Sequence, residues 1–291
     1  MKKILLTLFA ASLFATSFGQ ITTPQPSPGS TLTQTVGLTE VTVKYYRPKM
    51  KGRKIYGEGS DFLVPYGQIW RTGANQGTVI SFSDDVTIGG KTVPVGDYLI
   101  FTKPGATEWT VMFYKDLSIG GNVNAYDESK EEARFTAKAT KLGNTVETFT
   151  VNIADISEDN TTAHLQFAWE NTAVNLPITV EFDKKVMEAI AQNTQVNPGN
   201  YLAAANYFYS TDKDLNKALE WVNLYLAEEK NSKQFWNIHL KAQILAKMGN
   251  KKEAIETAEK SMELAKNFPQ GDFGYIKRNE DLIASVKKGK K

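Results

Sequence analysis

The hydrophobic period of this chain changes once, at Asp183, and that change limits the fold more than any single motif. From Thr31 to Phe182 apolar and polar residues alternate. Val41, Val43 and Tyr45 alternate with Thr42, Lys44 and Tyr46, and Trp109, Val111 and Phe113 repeat the pattern. Phe149, Val151 and Ile153 do the same, while Leu165, Phe167 and Trp169 leave His164 and Gln166 on the other face. A period of two sends successive side chains to opposite faces of a strand, so it predicts half-buried antiparallel strands. Gly89-Gly90 and Gly143-Asn144 read as two-residue hairpins. Val64-Pro65-Tyr66-Gly67 and Pro94-Val95-Gly96-Asp97 read as turns. Roughly nine or ten short strands at this spacing predict an antiparallel β-sandwich of Greek-key or jelly-roll type over residues 31–183.

Beyond Asp183 the period is helical. Asp183 is placed to cap a first helix carrying Val186, Met187 and Ile190. Asn197-Pro198 sets a cap residue before proline at a first helical position. Ser232 precedes a helix with Phe235, Trp236, Ile238 and Leu240. Asn250 and Glu253 have capping-box spacing, and Asp272 opens the last helix. About six helices of roughly 11–17 residues with short joints predict an α-helical hairpin array over residues 184–291. Ala218 and Ala254 lie 36 residues apart in related stretches. Ala242, Leu245, Gly249, Ala254, Ala258 and Pro269 resemble a tetratricopeptide repeat, whose small residues let helices approach closely. The earlier stretch carries Lys213 where the repeat has its turn glycine.

The N-terminus adds a location. Residues 1–20 pair Lys2 and Lys3 with a short apolar run and a small, polar exit, the pattern of a secretory signal peptide. Residues 21–30 hold three prolines and read as an extended linker. No later apolar run approaches the roughly 18 residues that cross a bilayer, so no transmembrane segment is expected. The chain has no cysteine, which excludes a disulfide framework, a thiol nucleophile and a Cys-ligated metal. Removing the signal leaves 32 basic and 32 acidic residues. That neutrality argues against nucleic-acid binding, and it conceals a division. Residues 21–183 carry 14 basic and 19 acidic side chains, whereas residues 184–291 carry 18 and 13. A solvated basic face, or one docking on the acidic half, explains the division more simply than an anionic partner does.

Arginine is scarce, with five against 29 lysines, yet Arg47, Arg53 and Arg71 fall within 25 residues. The same stretch holds Tyr66, Trp70 and Asn75. Two readings are open. In one, the arginines satisfy carbonyls and carboxylates such as Asp61 and lock an irregular connection, with Arg71 and Asn75 fixing a corner beneath Trp70. In the other, Arg47, Arg53, Arg71 and Asn75 ring a patch floored by Trp70 and Tyr66. Such a patch suits a small anionic ligand or a glycan, because arginine forks grip anions and aromatic faces stack on sugars or cations.

The strings RPKMKGRKIYG, LVPYGQIWRTGANQGTVISFS, VPVGDYLIFTKP and FAWENTAVNLPITVEF resemble the bacterial exported family catalogued as domain of unknown function 2911. The resemblance covers about residues 30–183. It implies a secreted or periplasmic protein of a Gram-negative bacterium, often with a helical repeat tail. The family has no assigned activity, so no catalytic residue is carried across. Gln76-Gly77 stands where members more often have acidic and small residues, which tells against an essential carboxylate there.

Familiar enzyme classes find little support. His164 and His239 are the only histidines. The first falls on a strand's outer face and the second in a repeat helix, neither near a nucleophile elbow. Asp127, Glu128, Glu131 and Glu132 cluster without the spacing of a calcium loop. No phosphate-binding glycine loop is present, and no cofactor or metal is expected. A carboxylate-pair glycosidase has no local signature to test. The expectation is an exported, non-enzymatic binding or scaffolding protein of the cell envelope, with a protein partner for the helical half. The alternative is a carbohydrate-binding or carbohydrate-active protein centred on Trp70, Arg71 and Asn75.

Overall fold

The computed structural model describes residues 23–194 and 197–289, and the expected signal peptide lies outside them. Two compact units meet in sequence between Glu181 and Phe182.

The first unit contains β1 (Gly29–Val36), β2 (Thr39–Tyr46), β3 (Tyr56–Gly57), β4 (Val64–Pro65), β5 (Thr78–Phe82) and β6 (Val86–Ile88). It continues with β7 (Lys91–Val93), β8 (Gly96–Lys103), β9 (Glu108–Tyr114), β10 (Glu131–Ala154) and β11 (Thr162–Val180). Nine of these form one antiparallel sheet in the order β1-β2-β5-β8-β9-β10-β11-β6-β7, while β3 and β4 make a small parallel pair. The sheet is not closed. Strand β10 pairs with β9 through its first part and with β11 through its second. A single strand therefore belongs to both halves of the sheet, and the halves fold face to face. Tyr45 of β2 shows this: its hydroxyl donates to Val151 O of β10 at 3.2 Å, and its ring meets Phe149 edge-on, although β2 and β10 are not neighbours. Trp109, Phe113, Phe149, Phe167 and Trp169 fill the interior. Burying a phenylalanine of this kind stabilises by about 1.5–3 kcal/mol.

One sequence signal meant something else. Gly143-Asn144 is not a hairpin turn but lies inside the 24-residue β10, where the pairing with β11 slips between Lys141 and Val146. Glycine inside an extended run marks a bulge as readily as a turn. The hairpin turn comes later, between Ala154 and Thr162, where Asp155 and Asn160 take left-handed φ and Asp159 accepts from Thr161 N. Strands β10 and β11 are accordingly long, at 24 and 19 residues, not short. Gly89-Gly90 does form the β6–β7 hairpin, both residues at positive φ.

The second unit holds α1 (Asp183–Asn193), α2 (Tyr201–Ser210), α3 (Leu215–Ala227), α4 (Phe235–Lys247), α5 (Lys251–Lys266) and α6 (Tyr275–Lys287). Ala204, Ala205, Ala218, Ala242, Ala254 and Ala258 are all buried where helices meet, as the repeat reading expects. The α2–α3 and α4–α5 joints close in the same way. Asn250 N bonds Leu245 O and Lys213 N bonds Phe208 O, each at 2.9 Å and five residues back. Gly249 supplies the left-handed residue of one joint (φ 84°) and Asp212 that of the other (φ 54°). Asp212, not Lys213, thus occupies the turn-glycine place. Asn250, directly after Gly249, holds the N-cap position of α5, whereas Lys213 intervenes before Asp214, the cap of α3. The earlier joint is one residue longer.

Capping differs from the sequence reading elsewhere. Asp183 is the first helical residue rather than a cap, and its carboxylate accepts from Tyr207 and Lys213. Ser232 does precede α4, which starts at Phe235, whereas α6 starts at Tyr275 rather than at Asp272, whose carboxylate accepts from Ile276 N in the first turn. Asn250 makes no side-chain cap bond. Pro198 opens a 3-10 turn, and α2 begins at Tyr201.

Candidate functional site

Strands β8 and β9 are buried on both faces, which simple alternation does not foresee. Leu99, Phe101, Met112 and Tyr114 point away from the sandwich interior yet are 2% exposed or less. Residues 115–130 cover them with three 3-10 turns, packing Ile119, Val123 and Tyr126 onto this second cluster. Asp116, Asn122 and Asp127 each cap one of those turns by accepting from the N–H two residues on. The ammonium of Lys130 and the hydroxyl of Ser118 hold the Asp116 carboxyl down at about 2.

Beside this cover the outer face opens into a cleft of about 960 Å³. Val79 and Leu99 form its floor, and Lys44 and Tyr46 rise from β2. Residues 71–77 make one wall and residues 117–122 the other. Glycine lets the walls touch: a Cβ on Gly121 would sit 2.8 Å from Arg71 Cδ and 2.9 Å from Asn75 O. The stem of Arg71 therefore lies against Gly121, and its Nη1 donates to Asn75 O at 2.8 Å. The backbone on this wall is strained. Thr72 and Asn75 adopt φ of 53° and 56°, and a left-handed conformation costs a β-branched residue on the order of 1–2 kcal/mol. Burial of Thr72 and the bond its carbonyl accepts from the Thr78 hydroxyl hold it there.

The sequence-selected residues do not converge. Only Arg71 and Asn75 line the cleft. The Arg47 guanidinium donates to Phe149 O at 3.2 Å and Thr150 Oγ1 at 2.9 Å. It locks the slipped stretch of β10, which has turned to pair with residues 48–50 through Phe149 N to Pro48 O and Met50 N to Glu147 O. Arg53 closes its own loop, donating to Met50 O at 3.0 Å and Lys49 O at 2.6 Å. None of the three bonds Asp61. Trp70 faces the other way, stacked on Trp169 at 5.8 Å and edge-on to Tyr56, Trp109 and Phe149. Tyr66 follows β4, its N–H bonded to Gly57 O. The Asn75 amide is turned to Gln25 and Ser27 of the proline-rich segment. Sequence reasoning missed Lys44, Tyr46 and the 117–122 wall. The Gly120-Gly121 pair between Asp116 and Asn122 was the available signal.

In the aromatic cluster, burial and then the Glu170 charge push the Tyr56 hydroxyl well above its ordinary value. Tyr56 Oη and Trp109 Nε1 have no hydrogen-bond partner there. Three of the acids at 127–132 are paired, Glu128 and Glu131 with Arg134 and Glu132 with Lys115, while Asp127 accepts from Ser129. Among the described residues no group of three or more His, Cys, Asp or Glu is placed to hold a metal ion, and no helix is long and apolar enough to cross a membrane. His164 lies on the outer face of β11, 3.4 Å from the Asp155 carboxylate.

The helical unit has a second cleft of about 540 Å³ along its alternate helices. Asn206 comes from α2, Trp236 and Gln243 from α4, and Arg278 and Leu282 from α6. The Arg278 guanidinium lies over the Tyr275 ring at 4.8 Å. Beneath it runs a closed polar network. His239 Nδ1 and Asn279 Oδ1 are 2.8 Å apart, Asn279 donates to Ser261 Oγ at 2.9 Å, and Ser261 donates to Phe235 O at 2.7 Å.

One family model, described as a protein of unknown function (DUF2911), matches residues 27–178. No curated protein matches the chain. No solved structure matches it either.

Proposed function

The chain belongs to the DUF2911 family, and we propose that it is a non-enzymatic binding and scaffolding protein of the Gram-negative cell envelope, exported by its first 20 residues. The observation that carries this reading is the cleft shared by α2, α4 and α6. Its lining mixes apolar anchors, Trp236 and Leu282, with amide and guanidinium donors, Gln243 and Arg278. That combination suits an extended protein segment, whose side chains need pockets and whose backbone needs partners. The network below supports the role, because it keeps α4, α5 and α6 in a fixed arrangement. His239 is used within that network, and burial holds its pKa below the ordinary value, so it serves structure better than proton transfer.

Cross-linking in intact envelopes tests the reading. A partner captured by the wild type and lost with Arg278→Glu supports it. Failure of the folded protein to capture anything above a mock control removes its main support.

A second reading, saccharide binding by the strand unit, is favoured by the Arg71–Asn75 cleft. It moves the centre away from Trp70, which is occupied in the aromatic cluster.

A further inference from the structure

We propose that the cleft of the strand unit binds an acidic saccharide, one whose sugar rings carry carboxylates. The inference rests on the second reading above and gives it a ligand class.

Charge supplies the first argument. Residues 23–181 have four more acidic than basic side chains, yet the cleft is lined by Lys44 and Arg71 and by no Asp or Glu among the described residues. A polycarboxylate is repelled by most of this unit and attracted here. Arg71 is also prepared for the role. Its Nη1 is used by Asn75 O, its stem is immobilised against Gly121, and among the described residues Nε and Nη2 have no hydrogen-bond partner. A guanidinium fixed before the ligand arrives loses little conformational freedom on binding, and its remaining N–H groups match a carboxylate. Lys44 makes no ion pair among the described residues and stands on β2 opposite Val79.

The rest of the lining fits a sugar better than a bare anion. Tyr46 offers a ring at the rim, paired in register with Gly29, which has no side chain to cover it. Gln76, Ser118 and Asn122 provide amide and hydroxyl groups for a polyhydroxylated ligand. The volume of about 960 Å³ falls in the range of small-molecule sites, about 300–1,000 Å³, and exceeds the need of a single inorganic ion. The strain at Thr72, next to Arg71, lies in the wall that presents it, and strain of this kind concentrates where a site must be held ready.

Isothermal titration of the mature chain with trigalacturonate, its methyl ester and inorganic phosphate decides the matter. The acid is expected to bind, its uncharged ester to bind roughly tenfold or more weakly, and added salt to weaken the acid alone. Lys44→Gln is expected to weaken the acid severalfold with an unchanged melting temperature, since this exposed side chain holds nothing in the fold. Arg71→Lys is expected to keep the charge but lose the fork, and with it most of the binding. If acid and ester bind equally, the carboxylate inference fails and the saccharide reading stands. Phosphate binding as tightly as trigalacturonate overturns the saccharide. Absence of binding by any saccharide to the folded protein overturns both.

Discussion

Asn279 is fully buried and meets three partners at once: His239, Ser261 and the Tyr275 carbonyl. Such a network is stable only while every member is satisfied. Protonation of His239 would put a charge into it, and burial, ahead of the opposing bond to Asn279, holds the imidazole pKa below its ordinary value. The sign follows. Below about pH 6.5 the unfolded chain takes up a proton that the folded chain resists, so the unfolded state gains. The helical unit is expected to be fully stable above that pH and to lose stability as the pH falls toward the folded-state value. The slope from this one group cannot exceed about 1.4 kcal/mol per pH unit. Urea titrations between pH 7.5 and 5 should show the loss in the wild type, and His239→Gln should flatten it. An equal slope in both proteins would place the pH dependence elsewhere.

At the scale of elements, the two helical joints look alike in sequence and differ in their caps. Asp214 accepts from Asn216 N at 2.9 Å and Lys217 N at 3.1 Å, whereas Asn250 caps nothing with its side chain. Asp214→Ala is expected to cost about 1 kcal/mol, and Asn250→Ala a few tenths at most. Thermal melts of the two variants compare them directly, and equal losses would contradict the assigned caps. The strand unit shows the same limit of local reading. Gly143-Asn144 resembles the Gly89-Gly90 pair, but one lies at a register slip and the other in a turn. Arg47 then bonds the carbonyl and hydroxyl that the slip exposes.

For the whole molecule, each unit has a core of its own. The strand unit is filled by Trp109, Phe149 and Trp169, and the helical unit by Phe208, Trp221 and Ile244. Residues 23–181 and 182–289 produced separately are each expected to fold, giving cooperative melts with strand and helix spectra respectively. Circular dichroism checks this, and a non-cooperative melt from either piece would show that its core is incomplete.

Much of this was already in the sequence. Element type, the break near Asp183 and the small-residue helix contacts are local or periodic properties, carried by side-chain spacing along one segment. So was the family, because its strings are contiguous. Tertiary structure alone decided which arginine faces an open cleft. Arg47, Arg53 and Arg71 are near in sequence, but a slipped strand turns the first to Phe149, a tight loop turns the second to Lys49, and only Gly121 of a distant wall holds the third at the rim. A polar group's direction follows from partners brought by long-range pairing, and no periodicity encodes those partners.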